Sequence, residues 1–300
     1  MDGMDDSTLS ALRTAASAVF DVGFAAMVGA LATPALLHDG ASDWAARRAR
    51  RCRGLFANAG FVALAASLAW IWLQTISLTE LPPLRALAAV GGVVVDTAFG
   101  RAWAVATLAL AAALVLAAAF RDRRLPRRTL ALLLVAMAIA RAGTGHAGAN
   151  GFDWLVPATA MHLLATGLWA GGVFTAALVV LRGHPDAVDC TRYAARLSML
   201  ATVALAGVVL TGAAIAWHGL GGTLAPLVPA DGSPWGIVLD VKLALVLLAV
   251  ALGGVNRLVV MPSLPDSRAR FARVLRVEAV VLLAALVAAA VLANGEPPAV

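Results

Sequence analysis

Apolar residues run through this 300-residue chain in long stretches rather than as the narrow stripe of a soluble amphipathic helix. A hydrocarbon core takes about 20 apolar residues of helix to cross. Eight stretches approach or exceed that length: residues 12–37, 55–78, 98–120, 129–143, 154–181, 193–217, 235–260 and 274–293. The fourth is the shortest and runs into a Gly-rich segment. None alternates with period two, which argues against a transmembrane barrel. Helices, by contrast, satisfy every backbone polar group without water. The expected fold is therefore an all-α integral membrane protein, a bundle of about eight transmembrane helices. It reads as a single membrane domain, with three spans in residues 1–125 and five in residues 126–300.

The polar positions between these runs alternate in charge. One set of loops carries Arg47, Arg48, Arg50, Arg51 and Arg53, then Arg121, Arg123, Arg124, Arg127 and Arg128. The same side carries Arg182, Arg192 and Arg196, and finally Arg257, Arg268, Arg270, Arg273 and Arg276. Eighteen of the 23 basic residues thus fall on one side, which the positive-inside rule makes cytoplasmic. Both termini are then expected outside, with Glu80, Asp153, Asp231 and Glu296.

Composition agrees with a lipid-facing surface. Hydrophobic residues make up 61% and charged residues 13%, with a mean hydropathy of +0.87; a soluble domain is nearer half apolar and a quarter charged. The acidic start lacks the basic region and cleavage site of a signal peptide, so the first run is expected to stay as a helix. Cys52 and Cys190 are expected in separate loops, without metal-type or disulfide spacing. There is no phosphate loop or aspartyl-phosphate motif, and the expectation is of a protein that is not an enzyme.

Ionisable residues within a span are costly and mark functional candidates. Among five histidines, His38 and His184 fall on the cytoplasmic side, while His146, His162 and His218 map to the outer side. His146 sits in a Gly-rich turn, His162 about two turns into the fifth run, and His218 at the outer end of the sixth. If the three imidazoles converge, they suit copper, zinc or nickel. Asp21, Asp96, Arg101, Asp240 and Lys242 are further inward charges, candidates for a transport path or for structural pairing. Asp240 and Lys242, two apart, point to different faces of one helix. Gly167, Gly171 and Gly172 read as points of close helix approach.

One stretch carries a family resemblance. Gly145-His146-Ala147, followed by Met161-His162-Leu163-Leu164-Ala165-Thr166-Gly167-Leu168-Trp169-Ala170-Gly171-Gly172, resembles the copper resistance protein D (CopD) family. There a GHA-like turn precedes a helix reading approximately HLLAxxLWxGG. The similarity extends through Thr211-Gly212, Trp235-Gly236, Lys242, Asn256-Arg257 and Pro262. The resemblance implies an eight-helix protein of the bacterial inner membrane that handles copper. It also implies a separate periplasmic copper-binding partner of the CopC type and movement of the ion toward the cytoplasm. It carries His146 and His162 as metal ligands; His218 rests on its position alone.

Three functions follow as expectations. The first is copper transport, with capture at an outer histidine site. The second is a b-type haem cytochrome, which needs two histidines at matching depth. The third is a structural or sensory membrane subunit.

Overall fold

A computed structural model describes residues 5–37, 42–120, 126–145, 153–182, 187–219, 234–264 and 266–295. All regular structure among them is helical. In chain order the helices are α1 (Asp6–Leu36), α2 (Asp43–Thr79), α3 (Pro83–Asp96), α4 (Ala98–Ala119) and α5 (Arg127–Ala142). They continue with α6 (Leu155–Thr175), α7 (Ala187–Gly219), α8 (Pro234–Val255) and α9 (Arg268–Asn294). Short π-helical turns extend α6 over Ala176–Val180 and α8 over Asn256–Val260.

Each of the eight apolar runs forms a helix, and seven of the helices are long and apolar enough to cross a membrane. The eighth, α5, has only 16 residues, or about 24 Å of rise. That is short of the ~30 Å hydrocarbon core. The apolar pattern also misses helix outside the lipid. α2, α7 and α9 begin well before their apolar runs, because the Ala- and Arg-rich segments ahead of them favour helix. The start of α2 is fixed by Ser42, whose hydroxyl accepts the Ala45 N–H at 3.1 Å.

Helix α3 was not expected. Its 14 residues cannot span a bilayer, and Leu84, Leu87 and Val95 remain exposed along it. Short length with uncovered leucines is the pattern of a helix lying at the lipid surface. Thr97 joins it to α4, donating to the Val93 carbonyl at 2.7 Å while accepting from Gly100 N–H at 3.0 Å.

The bundle is organised around α1 and α6, the most buried spans; α7 and α8 are the least. One core cluster joins α1 and α6 to α2, α4 and α5, through residues such as Phe24, Phe56, Leu110 and Met137. A second joins them to α7, α8 and α9, through Trp169, Tyr193, Phe271 and Leu282. Small residues let the central pair touch backbone to backbone. A methyl built on Gly171 would overlap the Ala25 carbonyl, and one on Gly29 would overlap Gly171. Ala25 and Gly29 both face Gly171, while Gly167 meets the Val28 side chain, so small residues set this close helix approach.

Basic side chains tie helix ends together near the Arg-rich side. Arg48 is buried and donates to the Arg182 carbonyl, and Arg196 donates to the Leu36 carbonyl at 3.1 Å. Ser42 bonds the Asp189 carboxylate. Cys52 and Cys190 are not in loops. Both are buried within α2 and α7, where the helices outrun their apolar runs, and both are free thiols.

Candidate functional site

His162 lies seven residues into α6, about 10 Å below its start. The first turn of α6 lacks a side-chain cap at Trp154, and the Asp153 carboxylate takes the Trp154 N–H at 2.5 Å. The His162 ring leans on α7, where Gly212 leaves room for it. A methyl at Gly212 would stand 3.1 Å from the ring carbon Cε1. Its Nδ1 lies 3.0 Å from the Thr211 hydroxyl oxygen.

That contact fixes the tautomer. The Thr211 hydroxyl has one proton, and the Gly207 carbonyl accepts it at 2.6 Å. The hydroxyl oxygen must then accept from His162, so Nδ1 carries the hydrogen. The Val208 carbonyl, 3.4 Å from the same hydroxyl and within reach of the ring, reinforces a donor on that side. In the neutral ring, Nε2 keeps its lone pair for another partner. A metal-binding imidazole is usually held in this way, with its second nitrogen anchored by a neighbour.

One charged side chain reaches this point and links it to others. Lys242, half-buried on α8, stands within electrostatic range of both His162 and Asp21. Asp21, on the central α1, also feels Arg141 at the end of α5. Arg141 donates to Ser17 at 2.9 Å and Thr144 at 2.8 Å, and its guanidinium lies over the rings of Phe20 and Trp70 at 5.4 and 5.7 Å. Asp21 therefore lies in the field of a cation from each half of the bundle.

The other expected site residues are elsewhere. His218 is exposed at the end of α7, edge-on to Trp154 with ring centres 5.6 Å apart. It is seven residues beyond Thr211, roughly 10 Å further out along the helix. Asp96 is exposed at the end of α3, and exposed Arg101 donates to the Val95 carbonyl at 2.8 Å, so this pair belongs to the α3–α4 junction. Asp240 is exposed while Lys242 turns inward. His146, His38 and His184 lie outside the described residues. Among the described residues no three His, Cys, Asp or Glu side chains gather into a metal cluster.

Known families account for both halves around this site. A family model described as Copper resistance protein D-like, N-terminal domain, matches residues 4–155, just over half of the 300. The chain belongs to the copper resistance protein D family. A second model of that family, Copper resistance protein D, matches residues 191–292. The first match covers α1–α5 and reaches the start of α6, and the second covers most of α7–α9. His162 lies in the stretch between them, while Thr211 and Lys242 lie in the second. No curated protein and no solved structure matches the chain. As a member of the copper resistance protein D family with seven membrane-competent helices, it is a multi-pass membrane protein with a copper resistance role.

Sequence reasoning gave Arg141 no role and named Thr211 only within the family resemblance. Arg141 falls inside the fourth expected run, close to its Gly-rich end, where the pattern alone assigns it nothing. The resemblance marks Thr211 without a role; only its partner on another helix supplies one.

Proposed function

We propose that this protein carries copper across the bacterial inner membrane, capturing the ion on the outer side at His162 and passing it toward the cytoplasm. The observation that supports this reading is the anchoring of His162 Nδ1 by Thr211, which leaves Nε2 as a prepared ligand inside a span. His146, which precedes α6 in the sequence, is assigned as the second imidazole, and exposed His218 with Trp154 forms an entry point further out than His162. The copper resistance family supports copper as the cargo. A separate CopC-like periplasmic protein delivers the ion.

Orientation follows from the arginine clusters, with both termini outside and α5 as the eighth crossing. Burial of Leu130, Leu134 and Met137 against the neighbouring spans supports that place for α5. The membrane potential, worth about 2.3 kcal/mol per charge per 100 mV, supplies a driving force without nucleotide hydrolysis. A haem reading lacks support, since no described histidine matches the depth of His162.

The test is copper accumulation in cells carrying wild type or His162→Ala at equal membrane levels. Loss of uptake in the variant supports the proposal; unchanged uptake removes it.

A further inference from the structure

A cavity of about 210 Å³ opens toward the Arg-rich end of the bundle, between α6, α7, α8 and α9. It has room for roughly seven waters at ~30 Å³ each. Two of its wall residues are buried polar groups with unusual surroundings. Asn256 is 4% exposed, and neither its side-chain oxygen nor its nitrogen has a hydrogen-bond partner among the described residues. Glu278, on α9, is 3% exposed and lies over Gly253, where a methyl would come 3.5 Å from its Oε1. The Trp169 indole donates to the Glu278 carboxyl.

These residues connect to the outer site. Trp169 follows His162 by seven residues on α6, so the two lie on nearly the same face about 10 Å apart. Asn256 opens the π turn of α8, where the Met261 N–H reaches back to its backbone carbonyl. Such turns are found disproportionately at functional sites. Arg257 is the other ionisable side chain lining the cavity, exposed and donating to Thr202 at 2.7 Å. α6 and α7 add none to its wall. α1, also packed on α9, carries within its span only Arg13 and Asp21, both toward the His162 end.

A buried carboxyl without a cation partner needs a compensating positive charge, either a proton or a metal ion. We propose that Glu278 and Asn256 form an inner cation station, where the transported copper ion displaces the carboxyl proton. The exchange balances as COOH plus Cu²⁺ giving COO⁻–Cu²⁺ plus H⁺, with the proton passing to cavity water. The Glu278 carboxylate and the Asn256 carbonyl oxygen are the ligands, and Met261 adds one thioether to the wall. Two oxygen donors against one thioether favour copper(II) over copper(I). Oxygen donors hold copper less firmly than imidazole, which suits a point of release. This rests on the copper-transport reading, and it is tested separately from His162.

The experiment measures protons released per copper(II) bound by the purified full-length protein in weakly buffered detergent, with a pH-sensitive dye. Glu278→Gln is expected to release one proton fewer per protein at saturation, Asn256→Ala to shift release to higher copper concentration, and Glu278→Asp to restore release. His162→Ala is expected to retain the Glu278-dependent proton. Equal release from wild type and Glu278→Gln, both monodisperse, overturns the station while leaving the His162 site standing.

Discussion

The Thr211 hydroxyl gives its proton to the Gly207 carbonyl and accepts the Nδ1 hydrogen of His162 at 3.0 Å. One side chain on α7 thereby decides which nitrogen of a ring on α6 is free. Removing an anchoring partner of a metal-binding histidine typically costs 10- to 100-fold in affinity.

Thr211→Val, nearly the same size, is therefore expected to weaken copper binding by about 10- to 100-fold with little loss of folded protein. Thr211→Ser, which keeps the hydroxyl, is expected to stay close to wild type. Titration of purified protein against a chromogenic copper chelator reads both. An unchanged affinity in the valine variant would remove the anchoring role.

The α1–α6 contact leaves no room for a side chain. Gly171→Ala is expected to cost stability by about 1–3 kcal/mol or more, since the new methyl meets the Ala25 carbonyl rather than a movable side chain. Gly254→Ala has open space around it and is expected to be tolerated. Thermal unfolding in detergent separates them, and similar melting temperatures would contradict the contact.

Asp21 lies within electrostatic range of both Arg141 and Lys242. Asp21→Asn leaves both cations in place and is expected to lower the melting temperature, because each cation loses a nearby negative charge. The exposed Asp240→Asn serves as the control. Comparable melting for the two variants would show that Asp21 does not stabilise these cations.

The crossing by α5 predicts a topology. Cysteines placed at residues 122 and 149, in a chain lacking Cys52 and Cys190, are expected to label from opposite faces of the membrane. Both termini are expected to label from the outer face. Labelling of 122 and 149 from one face would leave the seven long spans and dismiss the eighth.

Much of the fold was legible because lipid selects long apolar runs, and every such run became a helix. What it hid were helices that lipid does not select. α3 has 14 residues, too few to register as a span, and the arginine-bearing starts of α2, α7 and α9 are helical but not apolar. The candidate site was legible in part. His162 stood out as a lone imidazole within a span, and Lys242 as the chain's one lysine. Thr211 and Asn256 entered only through the family resemblance, without roles, because their roles come from neighbours on other helices. Glu278 was available to the same reasoning, as a carboxylate between Val277 and Ala279 in the last run. Asp96, Arg101 and Asp240 illustrate the opposite case: charge near a span end, yet exposed.

The account turns on His162 Nε2 as a copper ligand, and X-ray absorption at the copper edge reads that directly. Wild-type protein loaded with one equivalent of copper is expected to show the outer-shell scattering of imidazole, weakened in His162→Ala and retained in His218→Ala. Identical spectra for wild type and His162→Ala would contradict the capture site.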